Sequence, residues 1–137
     1  MNKKRLEDIA YSLIDRSSNK RCHHFSFVIY KNRIIAIGQN NRKTHPINLV
    51  NRKKSTKTGE DFSEEKHTCS EFNAILKLKN LTNINTKKCN LVNLRIDRNN
   101  KLAYAKPCES CKSLLSFFEF KSVEWTNEFG DYQFFKT

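Results

Sequence analysis

The sequence predicts an α/β fold, a mixed β-sheet with helices packed on it, and three observations support that prediction. Apolar residues recur at helical spacing in three segments, residues 6–14, 72–78 and 114–118. Short runs of β-branched and aromatic residues stand between and after those segments. The resulting order is α, β, β, α, β, α, β, β, and such an alternation after an opening hairpin is typical of a mixed sheet covered by helices.

The first part of the chain is predicted to form a helix followed by a hairpin. The helix is indicated by apolar residues at helical spacing, namely Leu6, Ile9, Ala10, Leu13 and Ile14. It is expected to end at the polar run Ser17-Ser18-Asn19. Residues 25–30 and 33–37 are two strand-like runs; Lys31-Asn32 can turn the chain between them, and Gly38 closes the second.

The later elements are two helices and three strands, which brings the predicted sheet to five strands. Residues 72–78 have one apolar helical face, which Leu81 can extend, and residues 91–96 form a short strand. Residues 102–105 lead into Pro107, a residue suited to the first turn of the next helix.

The last two strands are expected at residues 123–126 and 132–135, joined by a turn that contains Gly130. Strands linked so tightly must be antiparallel, because a parallel crossover needs about a dozen residues or more.

A single domain over residues 1–137 is expected, since the length is close to the rough prior of about 150 residues for one domain. Nearly every residue between positions 39 and 66 is polar, and many are Lys or Arg. This segment is predicted to be a long basic loop, of a length that usually serves a function or is mobile.

The chain carries 26 Lys and Arg against 14 Asp and Glu, a formal net charge of +12. Such a charge favours an anionic partner, although it does not separate a nucleotide from a polynucleotide. The alternative is that a Lys- and Asn-rich composition merely solvates the surface. With 37% apolar residues the composition excludes disorder and collagen-like structure.

No apolar stretch approaches the roughly 18 residues of a membrane span, so no membrane partner, anchor or signal peptide is expected. The five cysteines, Cys22, Cys69, Cys89, Cys108 and Cys111, are an odd number. Together these features favour free thiols or a metal site in a reducing compartment, hence a cytoplasmic protein, over a disulfide framework.

Two thiols stand three positions apart in Pro107-Cys108-Glu109-Ser110-Cys111. At a helix start they lie one turn apart on the same face, so one ion can touch both. The positive end of the helix also favours the thiolate form that a metal requires. The alternatives are a buried structural pair and a redox pair of the thioredoxin kind.

A second group, Cys69-Ser70-Glu71, opens the preceding helix directly after the polar loop. Side chains of a first helical turn lean toward the helix N-terminus, so Cys69 and Glu71 can both reach the space in front of it. Two helix starts facing one cavity would supply three sulfur ligands and a carboxylate, which matches a catalytic zinc site with one position open for water. The alternative is a small buried residue beside an N-terminal capping charge.

These motifs resemble those of the zinc-dependent cytidine and deoxycytidylate deaminase superfamily, in which His or Cys stands two residues before a catalytic Glu and P-C-x-x-C follows. The resemblance also covers residues 34–40 (IIAIGQN), 71–76 (EFNAIL) and 106–115 (KPCESCKSLL). It implies a three-layer α/β/α cytidine deaminase-like fold, with a mixed five-stranded sheet and an antiparallel C-terminal hairpin.

The resemblance also implies roles for individual residues. Cys69, Cys108 and Cys111 would hold one Zn²⁺ per chain, and Glu71 would move protons between water, the ring nitrogen and the departing ammonia. Asn40 matches a family position that contacts the sugar or base. His45, from the loop that follows, is a further candidate for the pocket mouth.

Two details concern the branch of the superfamily. Cys69 stands where deoxycytidylate and tRNA deaminases usually have His, and free-nucleoside deaminases have Cys; His67 is four residues from Glu71 and is therefore not the expected ligand. The C-terminal hairpin is likewise similar to the nucleoside-deaminase branch. Three thiolates leave a net negative site, which basic neighbours or helix dipoles would need to offset.

Three functions follow, in order of preference. The first is hydrolytic deamination of a free cytosine nucleoside or nucleotide to its uracil form, with release of ammonia. The second is deamination of cytosine or adenine in single-stranded DNA or RNA, with the basic loop tracking phosphates. The third is a non-catalytic zinc module that binds nucleic acid, although Glu71 would then have no purpose. The sequence leaves open a homo-oligomer.

Overall fold

The computed structural model describes residues 2–14, 23–40, 69–78 and 85–135. Within these ranges the chain forms three α-helices, a short 3-10 turn at Thr86–Lys88 and six strands. The helices are α1 (Lys3–Leu13), α2 (Ser70–Leu78) and α3 (Glu109–Phe117). The strands are β1 (His23–Tyr30), β2 (Arg33–Gln39), β3 (Asn90–Ile96), β4 (Leu102–Ala103), β5 (Ser122–Thr126) and β6 (Tyr132–Phe135).

The six strands form one mixed sheet with the order β2-β1-β3-β5-β6, and β4 pairs with β3. Strand β1 is antiparallel to both β2 and β3, whereas β3 and β5 are parallel. The final pair, β5 and β6, is antiparallel, which confirms the predicted C-terminal hairpin. Strand β1 pairs with every residue of β3 along one edge. Strands β4 and β5 therefore share the opposite edge of β3.

The opening hairpin forms where the sequence predicts it, because Lys31 and Asn32 turn the chain. Both residues have positive φ, 49° and 63°, the left-handed backbone that tight hairpin turns with the right-handed twist require. Asn adopts this conformation more readily than most residues. The turn therefore fixes the pairing of Tyr30 with Arg33 at the start of the register.

Alternating side chains of the central strands enter two separate cores, one on each face of the sheet. On one face α1 contributes Leu6 and Ala10 to an apolar cluster. Its strand members are Phe25, Phe27, Ile29, Val92, Leu94 and Ile96. On the other face α2 and α3 pack over a second cluster that includes Val28, Leu91 and Val123. The fold is thus the predicted α/β/α arrangement of three layers.

Helix α1 begins with a capping interaction. The Asn2 side chain accepts a hydrogen bond from the backbone N–H of Lys4 at 2.9 Å, which satisfies one of the unpaired donors of the first turn. At the far end, Tyr11 donates to the carbonyl of Asn100 at 2.7 Å, so the helix is also fixed to the turn after β3.

Two boundaries differ from the sequence prediction. Pro107 precedes helix α3 instead of occupying its first turn, because Cys108 adopts the extended N-cap conformation (φ −67°, ψ 167°) and the helix begins at Glu109. The segment before Pro107 contains the extra strand β4, whose two residues are too few to show a strand pattern.

The predicted long loop starts one residue later than expected, since Gln39 is still part of β2. The rest of that loop, the proposed end of the first helix at residues 17–19 and the extension to Leu81 lie outside the described residues. A single domain over the whole chain therefore stays a prediction. In the described part of the chain, no helix has the length and apolar character needed to cross a membrane.

Candidate functional site

The N-termini of α2 and α3 converge on one place and bring two cysteines with them. Cys69 directly precedes α2, and its carbonyl accepts the backbone N–H of Asn73 at 3.0 Å. Cys108 is the N-cap of α3, and its carbonyl accepts the N–H of Lys112 at 2.8 Å. Both sulfurs therefore lie at the positive ends of helices, where negative charge is stabilised.

A third sulfur completes the cluster, because Cys111 lies one turn further along α3. The sulfur atoms of Cys69, Cys108 and Cys111 all lie within 4.8 Å of one another. Zinc binds thiolate sulfur at about 2.3 Å, which separates two ligands by about 3.8 Å in tetrahedral geometry. Small side-chain movements would therefore suffice for all three to bind one ion, and the donor set fits zinc.

The thiol pKa values also show that the three sulfurs interact. The pKa of Cys69 is raised, chiefly by its hydrogen bond with Cys108 and further by burial and the charge of Glu71. The pKa of Cys111 is raised well above its usual value, first by hydrogen bonds with Cys108 and Cys69. Without a cation the protons stay on sulfur, and a bound divalent ion would displace them.

Glu71 lies in the first turn of α2 and is only 6% exposed. Its Oε1 accepts a hydrogen bond from the hydroxyl of Ser70 at 2.7 Å, and the Ser26 hydroxyl oxygen lies 3.4 Å from the same atom. Among the described residues, both of these contacts to the carboxylate end on Oε1. The other oxygen, Oε2, is thus the one left for a reacting molecule.

Behind Glu71 the sheet contributes two buried polar side chains. Ser26 on β1 and Asn93 on β3 are directly opposite each other in the antiparallel register, and both point to the α2 face. The Ser26 hydroxyl has one proton and two close acceptors, Asn93 Oδ1 at 2.7 Å and the Ser70 hydroxyl oxygen at 2.8 Å. We call Ser26, Ser70, Glu71 and Asn93 the polar chain.

Helix α2 lies unusually close to β2 at Gly38. A Cβ atom built on Gly38 would stand 2.1 Å from the carbonyl oxygen of Ser70 and 2.5 Å from the backbone nitrogen of Ala74. The Asn73 side chain adds a hydrogen bond from the N–H of Gln39 at 3.1 Å. The absence of a side chain at residue 38 therefore sets the position of the turn that carries Cys69 and Glu71.

The sequence-predicted substrate residue Asn40 follows β2 and is partly buried. Its side-chain oxygen accepts the backbone N–H of His24 at 3.2 Å, and its own N–H donates to the His24 carbonyl at 3.3 Å. Asn40 thus closes the β1–β2 pair, a structural role that the sequence did not indicate. His45, the other predicted substrate residue, lies outside the described residues.

The remaining candidates are spread over the molecule. His23 and His24 are partly buried at the start of β1, Tyr104 is exposed, and Trp125 is largely buried against Phe135. Cys89 is a buried thiol in the apolar core beneath α2 and α3. Two other side chains considered from the sequence, Cys22 and His67, fall in segments that the structure does not describe.

The residues that the sequence prediction missed are Ser26 and Asn93. Each is a polar residue in the middle of an otherwise apolar strand, in FSFV and LVNL. A buried polar group is costly unless it is hydrogen-bonded, so such an interruption indicates a partner on another element. The interruptions were visible, but the partner was not, because the register between distant strands is not encoded locally.

Taken together, the described residues offer three sulfur ligands and a buried carboxylate that no ion pair neutralises among the pairs seen in this part of the chain. A carboxylate beside a metal site that it does not ligate is suited to proton transfer. A closed structural zinc site would instead use a fourth protein ligand. Among the residues that the structure describes, the cluster contains three sulfurs and no fourth protein ligand.

The chain is similar to known proteins in its three-dimensional structure. No protein-family model matches the chain, and neither does any curated protein sequence. The crystal structure of dCMP deaminase from the cyanophage S-TIM5 in apo form is similar with a TM-score of 0.58 and 19% identity, over 92% of this chain and 82% of that chain.

Two further structures support the same likeness. The S-TIM5 enzyme in complex with dCMP and dUMP has a TM-score of 0.59 at 18% identity, over 92% of this chain and 81% of that chain. Cytidine deaminase from Burkholderia pseudomallei has a TM-score of 0.61 at 12% identity, over 99% of this chain and 93% of that chain. At these identities the likeness establishes the shared fold.

Proposed function

We propose that this chain, which has the cytidine deaminase-like fold, is a zinc-dependent hydrolytic deaminase that converts a free cytosine nucleoside or nucleotide to its uracil form and releases ammonia. Each chain would hold one zinc ion in a single domain. The observation that carries the proposal is the juxtaposition of three sulfurs within 4.8 Å of one another and the buried carboxylate of Glu71, which is not part of that cluster.

Cys69, Cys108 and Cys111 would hold the metal. Zinc bound there would supply Lewis-acid chemistry, lowering the pKa of a water molecule at the open coordination position. The two helix N-termini would stabilise the negative charge of the three thiolates, because Cys69 and Cys108 stand at the positive ends of α2 and α3. The site would therefore need fewer basic side chains to offset its charge than the sequence alone suggests.

Glu71 would perform the proton transfers. Its carboxylate accepts a proton from the attacking water and delivers it to the ring nitrogen next to the carbon that bears the amine. The water oxygen forms a bond to that carbon, and the bond to the amine nitrogen then breaks. The same carboxyl group protonates the departing ammonia, so one water is consumed for each ammonia released.

A free nucleoside or nucleotide is preferred as substrate for two reasons. One structural neighbour was crystallised with dCMP and dUMP, and another is a cytidine deaminase. In addition, β5 and β6 form the antiparallel C-terminal hairpin that the sequence resemblance connects with the nucleoside branch. The net charge of +12 is compatible with a phosphorylated substrate.

The decisive experiment is an ammonia-release assay on protein purified with zinc. Cytidine, deoxycytidine, their 5′-monophosphates and adenosine are tested side by side, and each product is identified by its ultraviolet spectrum. We expect turnover of at least one cytosine compound, loss of it after chelation of the metal, and recovery on addition of zinc. Absence of turnover on all of them in zinc-replete protein would overturn the proposal.

The same assay includes short single-stranded DNA and RNA, because the basic segment from Arg42 to Lys57 favours a polyanion as the second candidate substrate. Uracil or hypoxanthine appearing in an oligonucleotide, with activity that falls steeply as salt is added, would reverse the order of the two candidates. Binding of oligonucleotides without any turnover, in protein that retains zinc, would instead support the non-catalytic module.

A further inference from the structure

We propose that Ser26 and Asn93 are positioning residues for Glu71, and that this pair on the sheet fixes the direction in which the carboxylate presents its other oxygen, Oε2. The inference rests on the proposed function, because it assigns the two residues to the same acid–base group. Neither residue touches the sulfur cluster in the described contacts; they act only through the polar chain.

The two residues form a cross-strand pair in the centre of the sheet. Ser26 is opposite Asn93 in the register of β1 and β3, and the two side chains are 0% and 3% exposed. On either side of Ser26 stand Phe25 and Phe27, both of which enter the apolar core on the α1 face. The polar pair is thus confined to the face that carries the candidate site.

Burial makes this pair costly unless every group is bonded. A hydroxyl or amide transferred from water without a partner loses about 1–3 kcal/mol, judged from mutations in proteins. Here the single proton of the Ser26 hydroxyl can be directed to Asn93 Oδ1 at 2.7 Å or to the Ser70 oxygen at 2.8 Å, and Asn93 donates to the carbonyl of Ala105 at 3.4 Å. Two apolar residues would fill this space at lower cost, so the pair is better explained by what it holds.

What it holds is one end of the Glu71 carboxylate. The Ser26 oxygen lies 2.8 Å from the Ser70 oxygen and 3.4 Å from Glu71 Oε1, and Ser70 donates to the same Oε1 at 2.7 Å. Glu has three side-chain torsions, and leaving them free would spread the carboxylate over many orientations. With Oε1 fixed, Oε2 is held in one direction, as proton transfer requires.

The polar chain also connects the two segments that carry the sulfurs. On one side it reaches Ser70, the residue between Cys69 and Glu71. On the other side Asn93 bonds the carbonyl of Ala105, three residues before Cys108. A displacement of either segment would therefore stretch the same hydrogen bonds, which keeps the carboxylate in register with the cluster.

The test compares Ser26→Ala and Asn93→Leu with wild-type protein, all zinc-loaded. We expect kcat to fall roughly 10- to 100-fold, the range found when a group supporting an active-site residue is removed. KM should stay within about twofold, because the substrate itself is not contacted, and zinc should remain at one per chain. An unchanged kcat, or a loss that appears in KM or zinc content alone, would overturn the inference.

A matched control separates positioning from loss of a buried hydroxyl. Thr126 is fully buried and donates to the carbonyl of Ala103, but it has no bond to the polar chain in the described contacts. Thr126→Val should lower the melting temperature as Ser26→Ala does, with kcat unchanged. If Ser26→Ala fails to fold, Ser26→Cys keeps nearly the same volume with a much weaker donor and tests the same point.

A second measurement does not depend on activity. Crystal structures of zinc-loaded wild-type protein and Ser26→Ala should show one orientation of the Glu71 carboxylate in the former and a rotated or split carboxylate in the latter, with the sulfurs unmoved. A single unchanged orientation would contradict the inference. If the wild-type protein deaminates no substrate, the proposed function fails, and the two crystal structures still decide whether Ser26 positions Glu71.

Discussion

The two faces of the sheet are built from the same two strands but have different chemistry. On the α1 face, the buried residues that β1 and β3 contribute are apolar, for example Phe27 and Val92. On the face of α2 and α3 the same strands place Ser26 and Asn93 among apolar neighbours. The α1 face can therefore contribute to stability through apolar burial, whereas the other face includes polar groups that lie against Glu71.

This difference shows that alternate residues of one strand contribute separately to the apolar core under α1 and to the face of the candidate site. Because successive side chains of a strand point to opposite faces, a change at Phe27 and a change at Ser26 act on separate layers. Mutations on the α1 face should alter the free energy of unfolding without altering the chemistry per folded molecule. Mutations on the α2 and α3 face should lower kcat per folded molecule by more than their loss of stability explains.

The largest effect is expected for Glu71→Gln. The amide keeps the shape and an acceptor for Ser70 but cannot take a proton, so kcat should fall about 10²- to 10⁴-fold, the range for general acid–base groups. Zinc content and melting temperature should be close to those of wild-type protein. Substantial residual turnover in a fully zinc-loaded variant would show that another group moves the protons.

A large loss of stability without loss of chemistry is expected for Phe27→Ala, on the α1 face. Phe27 is fully buried, and truncating such a residue costs about 3–5 kcal/mol. Chemical denaturation would measure this cost, and kcat per folded molecule should be unchanged. Val28→Ala, one residue along the strand but on the other face, should lower kcat more despite a smaller loss of stability. A larger loss of kcat in Phe27→Ala than in Val28→Ala would contradict the division of roles between the two faces.

Gly38→Ala should affect both properties at once. The added methyl group would meet backbone atoms of Ser70 and Ala74, so α2 must move. Overpacking of this kind costs typically about 1–3 kcal/mol, and because α2 carries Glu71 and follows Cys69, zinc affinity and kcat should also fall. Denaturation and a competitive zinc titration measure the two effects.

Gly130→Ala is the matched control for that change. Gly130 has a positive φ of +82°, which favours glycine, but an added Cβ would stand 3.6 Å from its nearest neighbour, the Cβ of Leu102. This variant should lose stability through backbone strain, of order 1 kcal/mol, and keep its zinc affinity. Equal losses of zinc affinity in both glycine variants would contradict the role assigned to Gly38.

The smallest effect is expected for Asn40→Asp, which tests whether Asn40 also contacts substrate. The carboxylate keeps an acceptor for the N–H of His24, so stability should change by no more than about 0.5 kcal/mol, as at other tolerant positions. The lost amide donor should raise KM for cytidine, an uncharged substrate, with little change in kcat. An unaltered KM would leave Asn40 with its structural role alone.

Local features of the sequence were enough to predict most elements of the fold. The Lys31-Asn32 turn, the alternating runs on either side of it and the tight link before β6 all act over a few residues. The sequence does not predict strand β4, because the strand has only two residues, and it predicts the start of α3 too early, because Pro107 precedes the N-cap Cys108. The order of the strands depends on long-range packing, which no local pattern contains.

The candidate site likewise has a part that the sequence predicts and a part that it does not. Spacing alone places Cys108 and Cys111 on one face of a helix, and the resemblance adds Cys69 and Glu71. The polar chain could not be predicted, since it requires Ser26 and Asn93 to be opposite each other in strands that are distant in sequence. The structural role of Asn40 was hidden for the same reason.

The most direct test of the central claim is X-ray absorption spectroscopy, combined with metal analysis, on reduced protein. We expect one zinc per chain with three sulfur ligands at about 2.3 Å and one oxygen or nitrogen ligand. Glu71→Gln should give the same spectrum, because Glu71 is not a metal ligand in the proposed site. A chain that holds no stoichiometric zinc, or a shell that contains fewer than three sulfurs, would contradict the claim.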